Sequence, residues 1–335
     1  MIPPSQQNAP ERFLVTGAMG CLGAWTIRTL LDQGVNPIAF DISANRSRLR
    51  LVVSEDELET VELIRGDITD TELVGRTIAE QGVTHVVHLA ALQVPGCRAD
   101  PMLGARVNVL GTISILEALR AHQPSRIGLS YASSYAVFGR SERYPDGKAL
   151  DASPPDPGTL YGIYKVTDEH VARIYAQDNQ LGSVGLRPAI VYGPGRDQGL
   201  TSGATMAMLA AAAGGSFRIP HGGRSVFQFA SDVARTFVEA ARACGEEAKV
   251  FNIGGAHASV PEVIQAIEAT VPESTGLISF DDVELPFPQA VDDGGLQRFL
   301  GPIEYIPLTD GVARTVTAFR DLLQRGLVSP QAFGL

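Results

Sequence analysis

The chain has 335 residues and 35.6 kDa, with 44% apolar and 19% charged residues. That excludes disorder as the main state and leaves room for about two domains, or one large α/β unit with an appendage. A formal charge of −10 excludes a general nucleic-acid binder, which needs a basic footprint.

The leader MIPPSQQNAPER lacks the charged-then-apolar order of a secretory signal. No run of about 18 apolar residues is found, so no membrane span or membrane partner is expected. Cys21, Cys97 and Cys244 lie far apart with no CxxC pair, which disfavours zinc and disulfides and fits a reduced, cytoplasmic setting. The six histidines show no ligand spacing, so no metal is expected.

Short apolar runs alternate with helical patterns. Strands are predicted at 12–16, 37–40, 61–65, 84–90, 126–132 and, as one unit, 183–192. Helices are predicted at 22–33 (closed by Gly34), 101–122 and 160–180. This order implies an α/β chain with a Rossmann-like, doubly wound parallel sheet. After Tyr192 the chain becomes Gly-rich around an Ala-rich helix at 204–213. One more main-sheet strand is predicted at 249–253, and helices near 260–271 and 309–325. Residues 1–192 therefore read as a dinucleotide-binding domain, with a later return strand near 225–255. Residues 193–335 read mainly as a small substrate-binding lobe over the sheet's carboxyl edge.

VTGAMGCLG (15–23) joins the first strand to the first helix and spaces Gly17, Gly20 and Gly23 by three. Glycines permit a tight turn and close approach to a pyrophosphate, and the helix N-terminus offers free N–H groups. No GK[ST] follows, which disfavours an ATP-type loop. Asp41 ends the second strand, where a carboxylate can accept from the adenosine ribose and would repel a 2′-phosphate. NAD is favoured over NADP, although Arg46 and Arg48 lie nearby. The plainer role for Asp41 is a strand-end cap. Asp67 in GDITD can meet adenine, cap a helix, or both.

YGIYK sets Tyr161 and Lys165 on one helical face at i and i+4. A phenol titrates near ~10, and an adjacent ammonium lowers that value, so the pair can take a proton from an alcohol. SYASSYAVFG supplies Ser133 and Ser134 as hydroxyls for the same substrate oxygen.

TGxxGxxG, GDxxD, HLAA, NVxGT, SS…VFG, YxxxK and RPxxVYGP occur here in one order, at 16–23, 67–70, 88–91, 108–112, 133–139, 161–165 and 187–194. The chain thereby resembles the extended short-chain dehydrogenases/reductases, the NAD-dependent epimerase/dehydratase enzymes, over nearly its whole length. The resemblance implies NAD as cofactor and Tyr161 as general base or acid and as a cofactor contact. Lys165 would bond the nicotinamide ribose, and Ser134, five residues before Gly139, would be the catalytic hydroxyl with Ser133 as the fallback. It further implies Gly17, Gly20, Cys21 and Leu22 at the pyrophosphate, Asp67 and Ile68 at adenine, and Leu89, Ala90 and Ala91 along the middle of the cofactor. Asn108 belongs to the cofactor-site motifs, and Pro188 would lie near the carboxamide. Helices 101–122 and 160–180 form a dimer interface in many relatives, which implies a homodimer.

Three departures narrow the substrate. Nucleotide-sugar members carry an Asn where Ile190 stands. Arg224 is shifted by one residue from the Arg of their Arg-Asp-aromatic run, and no Asp follows it. Tyr135 and Ala136 replace the acidic residues of the dehydratases. The expected activity is hydride transfer between NAD and a carbinol carbon of a sugar, sugar acid or lactone. Candidate substrate contacts are Gln93, Ser133, Arg187, Arg196, His221 and Arg224. The alternatives are a sugar or nucleotide-sugar epimerase that recycles tightly bound NAD and a non-catalytic NAD sensor.

Overall fold

The computed structural model describes residues 10–122 and 127–329. Most of the leader, and the first residue of the strand expected at 126–132, lie outside the described residues. The first half runs β1 (Phe13–Thr16), α1 (Cys21–Asp32), β2 (Ile38–Asp41), α2 (Glu55–Leu58), β3 (Glu62–Arg65), α3 (Thr71–Glu80), β4 (His85–His88), α4 (Val94–Ala99), α5 (Pro101–Ala105), α6 (Gly111–Ala121) and β5 (Gly128–Ala132). The second half runs β6 (Lys148–Ala149), α7 (Leu160–Asn179), β7 (Ser183–Arg187), β8 (Ile190–Tyr192), α8 (Gly203–Ala212), β9 (Phe217–Ile219), β10 (Arg224–Phe229) and α9 (Ala230–Arg242). It ends with β11 (Ala248–Asn252), β12 (Ala256–Ser259), α10 (Val260–Thr270), β13 (Ile278–Phe280), β14 (Ala290–Val291), α11 (Gly294–Leu300) and α12 (Leu308–Gln324).

Seven strands form one parallel sheet in the order β11-β7-β5-β4-β1-β2-β3. Phe13, Leu14 and Val15 of β1 are fully buried because helices cover both faces of the sheet. Ile27 and Leu30 of α1 pack with Phe237 of α9 on one side. Val74 and Ile78 of α3 pack with Ile115 and Leu119 of α6 on the other. The Rossmann-like doubly wound sheet is as expected. Strand order reverses between β1 and β4, and their carboxyl ends open a crevice there.

The single strand expected at 183–192 is two strands in two sheets. Pro188 has no N–H to donate, and the ladder with β5 ends at Leu186 and that with β11 at Arg187. Beyond it, β8 pairs with β10 in a three-stranded sheet, order β12-β10-β8. The expected return strand near 225–255 is likewise β10, helix α9 and β11. Val233, Phe237, Val238 and Ala241 recur at helical spacing along α9 and are all buried.

The expected helix at 101–122 is one helical run with a π-turn, Arg106–Leu110, between α5 and α6. Pro101–Ala121 is long and apolar enough to cross a membrane by length and composition (mean hydropathy 1.4), which corrects the expectation that no such stretch exists. Half of that window is buried in the fold, where Ile115, Leu116 and Leu119 pack on the sheet.

A second core lies under α8, α10 and α12, with Met208, Phe227, Val263, Ile267, Val312 and Val316 at its centre. It also takes Tyr135, Val137 and Phe138 from the segment after β5. Helix α8 is apolar on all sides and buried nearly throughout. Helix α11 was not expected from the sequence.

Candidate active site

A cavity of about 750 Å³ opens from the β1/β4 crevice toward the second core. Gly17, Gly20, Cys21 and Leu22 line it. Gly17 has φ +67°, and a Cβ there would stand 2.7 Å from the Ala90 nitrogen. A Cβ on Gly23 would stand 2.3 Å from the Gly17 carbonyl oxygen. The glycines thus let β1, α1 and the β4 end approach one another without side chains in the turn. Helix α1 has no side-chain cap and no acidic residue in its first turn. Its N–H groups and positive dipole end remain available to an anion. A dinucleotide pyrophosphate fits this cradle. Burial pushes the Cys21 thiol up to about 12, so it stays protonated there.

Asp41, Asp67, Ile68, Leu89, Ala90, Ala91 and Pro188 line the same cavity. Asp41 accepts from the Met19 and Ser43 backbone N–H groups at 2.9 and 2.8 Å, bracing the glycine loop as well as facing the cavity. Asp67 accepts from the Thr69 N–H and hydroxyl, whereas Asp70 caps α3. The helix-cap alternative for Asp67 is thereby removed. Asn108 does not line the cavity. It is fully buried and clasps Leu92, accepting from its N–H at 2.7 Å and donating to its carbonyl at 3.0 Å. Its action on a cofactor is indirect, through the 89–93 loop that it holds.

Arg48, one of the two arginines that weakened the preference for NAD, is engaged elsewhere. Its Nε and Nη2 donate to the Asp197 carboxylate at 2.8–3.1 Å. Both residues line the cavity. With the Trp25 Nε1–H donating to the Pro194 carbonyl at 2.9 Å, this pair ties the 193–201 loop across to the cofactor wall.

Ser133, Ser134 and Tyr161 line the cavity too. Tyr161 sits in the first turn of α7, capped by Thr159. A Cβ on Gly162 would meet the Ala136 carbonyl oxygen at 2.2 Å. Only glycine therefore lets α7 come this close to the turn after Ser134, and that approach sets the two hydroxyls on one cavity. The Ser134 oxygen accepts from the Ala136 N–H at 3.1 Å, which leaves its own proton free. The Ser133 proton is already donated to Glu169 at 2.5 Å. Ser134→Ala is expected to cut turnover by about 10²-fold. Ser133→Ala is expected to cost about 1–3 kcal/mol of stability and to change turnover only a few-fold. Parallel thermal unfolding and rate measurements check both.

Lys165 does not line the cavity. It is buried, with Nζ 5.9 Å from the Tyr161 ring centroid and donating to Asp168 at 3.1 Å. Behind the site, the His88 Nδ1 and Nε2 contact the Thr16 and Thr112 hydroxyls. Burial, aided by the Lys165 charge, pulls the His88 pKa down to about 3, so the ring is neutral and structural.

Of the substrate candidates, Gln93, Ser133 and Arg196 line the cavity. The Arg196 Nη1 donates to Gln93 at 3.3 Å and Nη2 to Thr201 at 3.1 Å. Three other candidates are not brought to the cavity. Arg187 is buried in a bidentate pair with Glu169 at 2.7–2.8 Å, over the face of Phe138. Arg224 is exposed and pairs with Glu262 at 3.0 Å. His221 is not a solvated turn residue: it is 2% exposed, with both ring nitrogens unpartnered. Ile190 is fully buried within the second core. Glu169, Asp168, Gly162 and the Arg48–Asp197 pair carried no motif in the sequence, although the i, i+3 spacing from Lys165 to Asp168 is visible in it.

The profile of the NAD dependent epimerase/dehydratase family matches residues 13–254. The chain belongs to that family. It is accordingly an enzyme family member with a Rossmann-type fold and NAD as its cofactor. It is 29% identical to a UDP-glucose 4-epimerase of Mycolicibacterium smegmatis over 325 residues, covering 93% of this chain and all of that protein. Among solved structures it is similar to the UDP-glucose 4-epimerase of Thermus thermophilus in complex with NAD. That likeness has a TM-score of 0.76 at 25% identity, over 92% of this chain and 99% of that one. It is also similar to MoeE5 in complex with UDP-glucuronic acid and NAD, with a TM-score of 0.74 at 27% identity, over 92% and 99%.

Proposed function

We propose that this epimerase/dehydratase-family enzyme moves a hydride between NAD and a carbinol carbon of a carbohydrate-like substrate: a sugar, sugar acid or lactone. The observation that carries the proposal is the continuity of one cavity from the Gly17 turn to the Ser134 and Tyr161 hydroxyls. Bound NAD supplies the hydride acceptor. Tyr161 takes the alcohol proton, and Ser134 donates to the same oxygen and holds it in place. The Lys165 ammonium stands 5.9 Å from the Tyr161 ring centroid, a positive charge beside the proton-transfer group. Gly17, Gly20, Cys21 and Leu22 hold the pyrophosphate, Asp41 the adenosine ribose, Asp67 and Ile68 the adenine. Leu89, Ala90 and Ala91 line the middle of the cofactor, and Pro188 lies near the carboxamide. Gln93 and Arg196 contact the substrate. Residues 1–192 act mainly on the cofactor and 193–335 mainly on the substrate.

Net dehydrogenation is favoured because Ile190 is apolar and buried and Arg224 pairs with Glu262. Neither is then available to a nucleotide diphosphate. A second reading, epimerisation with retained NAD, is favoured by the Arg48–Asp197 tie and by the UDP-glucose 4-epimerase relative. Met102, Leu110, Leu160, Ile163 and Ile174 expose apolar surface on the α5–α6 run and α7, which supports a homodimer through those helices.

Purified protein incubated with a panel of sugars, sugar acids, lactones and UDP-sugars tests the reading. Net NADH formation supports dehydrogenation. Stoichiometric bound NAD with epimer formation and no free NADH supports the second reading. No conversion at all removes both. Asp197→Asn breaks the tie and is expected to speed NAD release about tenfold, the effect of losing ~1.4 kcal/mol of charge-assisted bonding. An NAD dissociation rate equal to wild type contradicts the retaining role of that pair.

A further inference from the structure

Asp168 follows Lys165 by three positions, so the two share a face of α7. The side chains are 1% and 2% exposed, and Nζ donates to Oδ2 at 3.1 Å. The other carboxylate oxygen, Oδ1, is buried without a hydrogen-bond partner. A buried ion pair with an unsatisfied acceptor is a poor source of stability, because desolvation rivals the attraction. Its place behind the Tyr161 phenol, with Lys165 one helical turn and Asp168 about two turns along α7, gives it a different use.

The groups facing the pair come from five other elements and from α7 itself. His88 of β4 is neutral, as described above. Cys97 of α4 has its thiol pushed up by burial, and Tyr131 of β5 its phenol, so both stay protonated at neutral pH. Thr112 of α6 is uncharged, and Arg187 of β7 is matched by Glu169 of α7. Burial pulls the Lys165 ammonium down, but Asp168 and Tyr161 more than offset it and leave its pKa above the ordinary value. Burial pushes the Asp168 carboxyl up to about 6, against the pull of Lys165.

We propose that Asp168 is a positioning residue that holds the Lys165 ammonium back from Tyr161 and screens its charge, thereby setting the ionisation of that phenol. With the carboxylate ionised, a negative charge 3.1 Å from Nζ matches the ammonium, and the phenolate receives only the remainder of its field. With the carboxylate neutral or removed, and Lys165 still protonated, the whole positive charge acts on the phenol. The inference rests on Tyr161 as the proton-transfer group, but its test needs no substrate.

NAD-loaded protein is titrated by phenolate absorbance, each background being compared with its own Tyr161→Phe counterpart to isolate one phenol. Asp168→Asn is expected to move the Tyr161 midpoint down by about one pH unit, a tenfold change in ionisation constant. Asp168→Glu, which keeps the charge, is expected to return the midpoint toward wild type. Asp168→Ser serves as the second neutral variant should the Asn form not fold. An unchanged or raised midpoint in either folded neutral variant overturns the proposal. A shifted midpoint in a protein that converts no sugar would remove the proposed reaction and leave the role of Asp168 standing.

Discussion

Tyr161→Phe will bind NAD as wild type does and lose about 10²–10⁴-fold in turnover, the range for removing a positioned acid–base group. The separation follows from the geometry. The glycine turn, the uncapped start of α1 and Asp41 stand on β1, α1 and β2, whereas Tyr161 enters from α7. Phenylalanine keeps the ring packing against the second core and removes only the hydroxyl. Calorimetric NAD binding and single-turnover rates on the variant are the measurements. NAD affinity falling in step with the rate would place Tyr161 in cofactor binding rather than proton transfer.

Gly17→Ala will abolish measurable NAD binding and destabilise the fold. At φ +67° an alanine is held in a conformation that costs about 1–3 kcal/mol. Its methyl would stand 2.7–2.9 Å from backbone atoms of Leu89 and Ala90, which have no flexible end to yield. The strand ends of β1 and β4 must then part, and the crevice that receives the pyrophosphate changes shape. Unfolding midpoints and calorimetry report the two losses together. Gly34→Ala is the control, because φ there is +74° but nothing lies within 4 Å of the added carbon. It is expected to lose stability and keep NAD binding. Equal NAD binding in both variants would show that the close approach at Gly17 has no part in cofactor binding.

The parts of this fold that are written locally were legible in the sequence. FLVT, the glycine spacing and Tyr-x-x-x-Lys are patterns within a turn or a strand, and each lies where the pattern set it. Residues whose partners come from far along the chain were not legible. Nothing near Arg187 in sequence says that Glu169 will meet it, or that Arg48 will meet Asp197. The choice of Ser134 over Ser133 was legible from its spacing to Gly139, but its physical reason was not: the reach of Glu169 from α7 takes the Ser133 proton and leaves that of Ser134 free. Pro188 in RPAIVY carried a readable signal for the break between β7 and β8, since proline ends a central ladder. Helix α9 was readable from its apolar spacing as well. Asn108 shows the opposite limit: a motif residue whose side chain serves the loop beside the cavity, not the cavity itself.

The central claim is tested most directly by a crystal structure of the NAD complex. The account predicts the pyrophosphate over the start of α1, the adenosine ribose on Asp41, and the nicotinamide ring between Pro188 and the Tyr161 hydroxyl. A nicotinamide lying away from Ser134 and Tyr161, or a pyrophosphate held anywhere other than the Gly17–Leu22 turn, would contradict it.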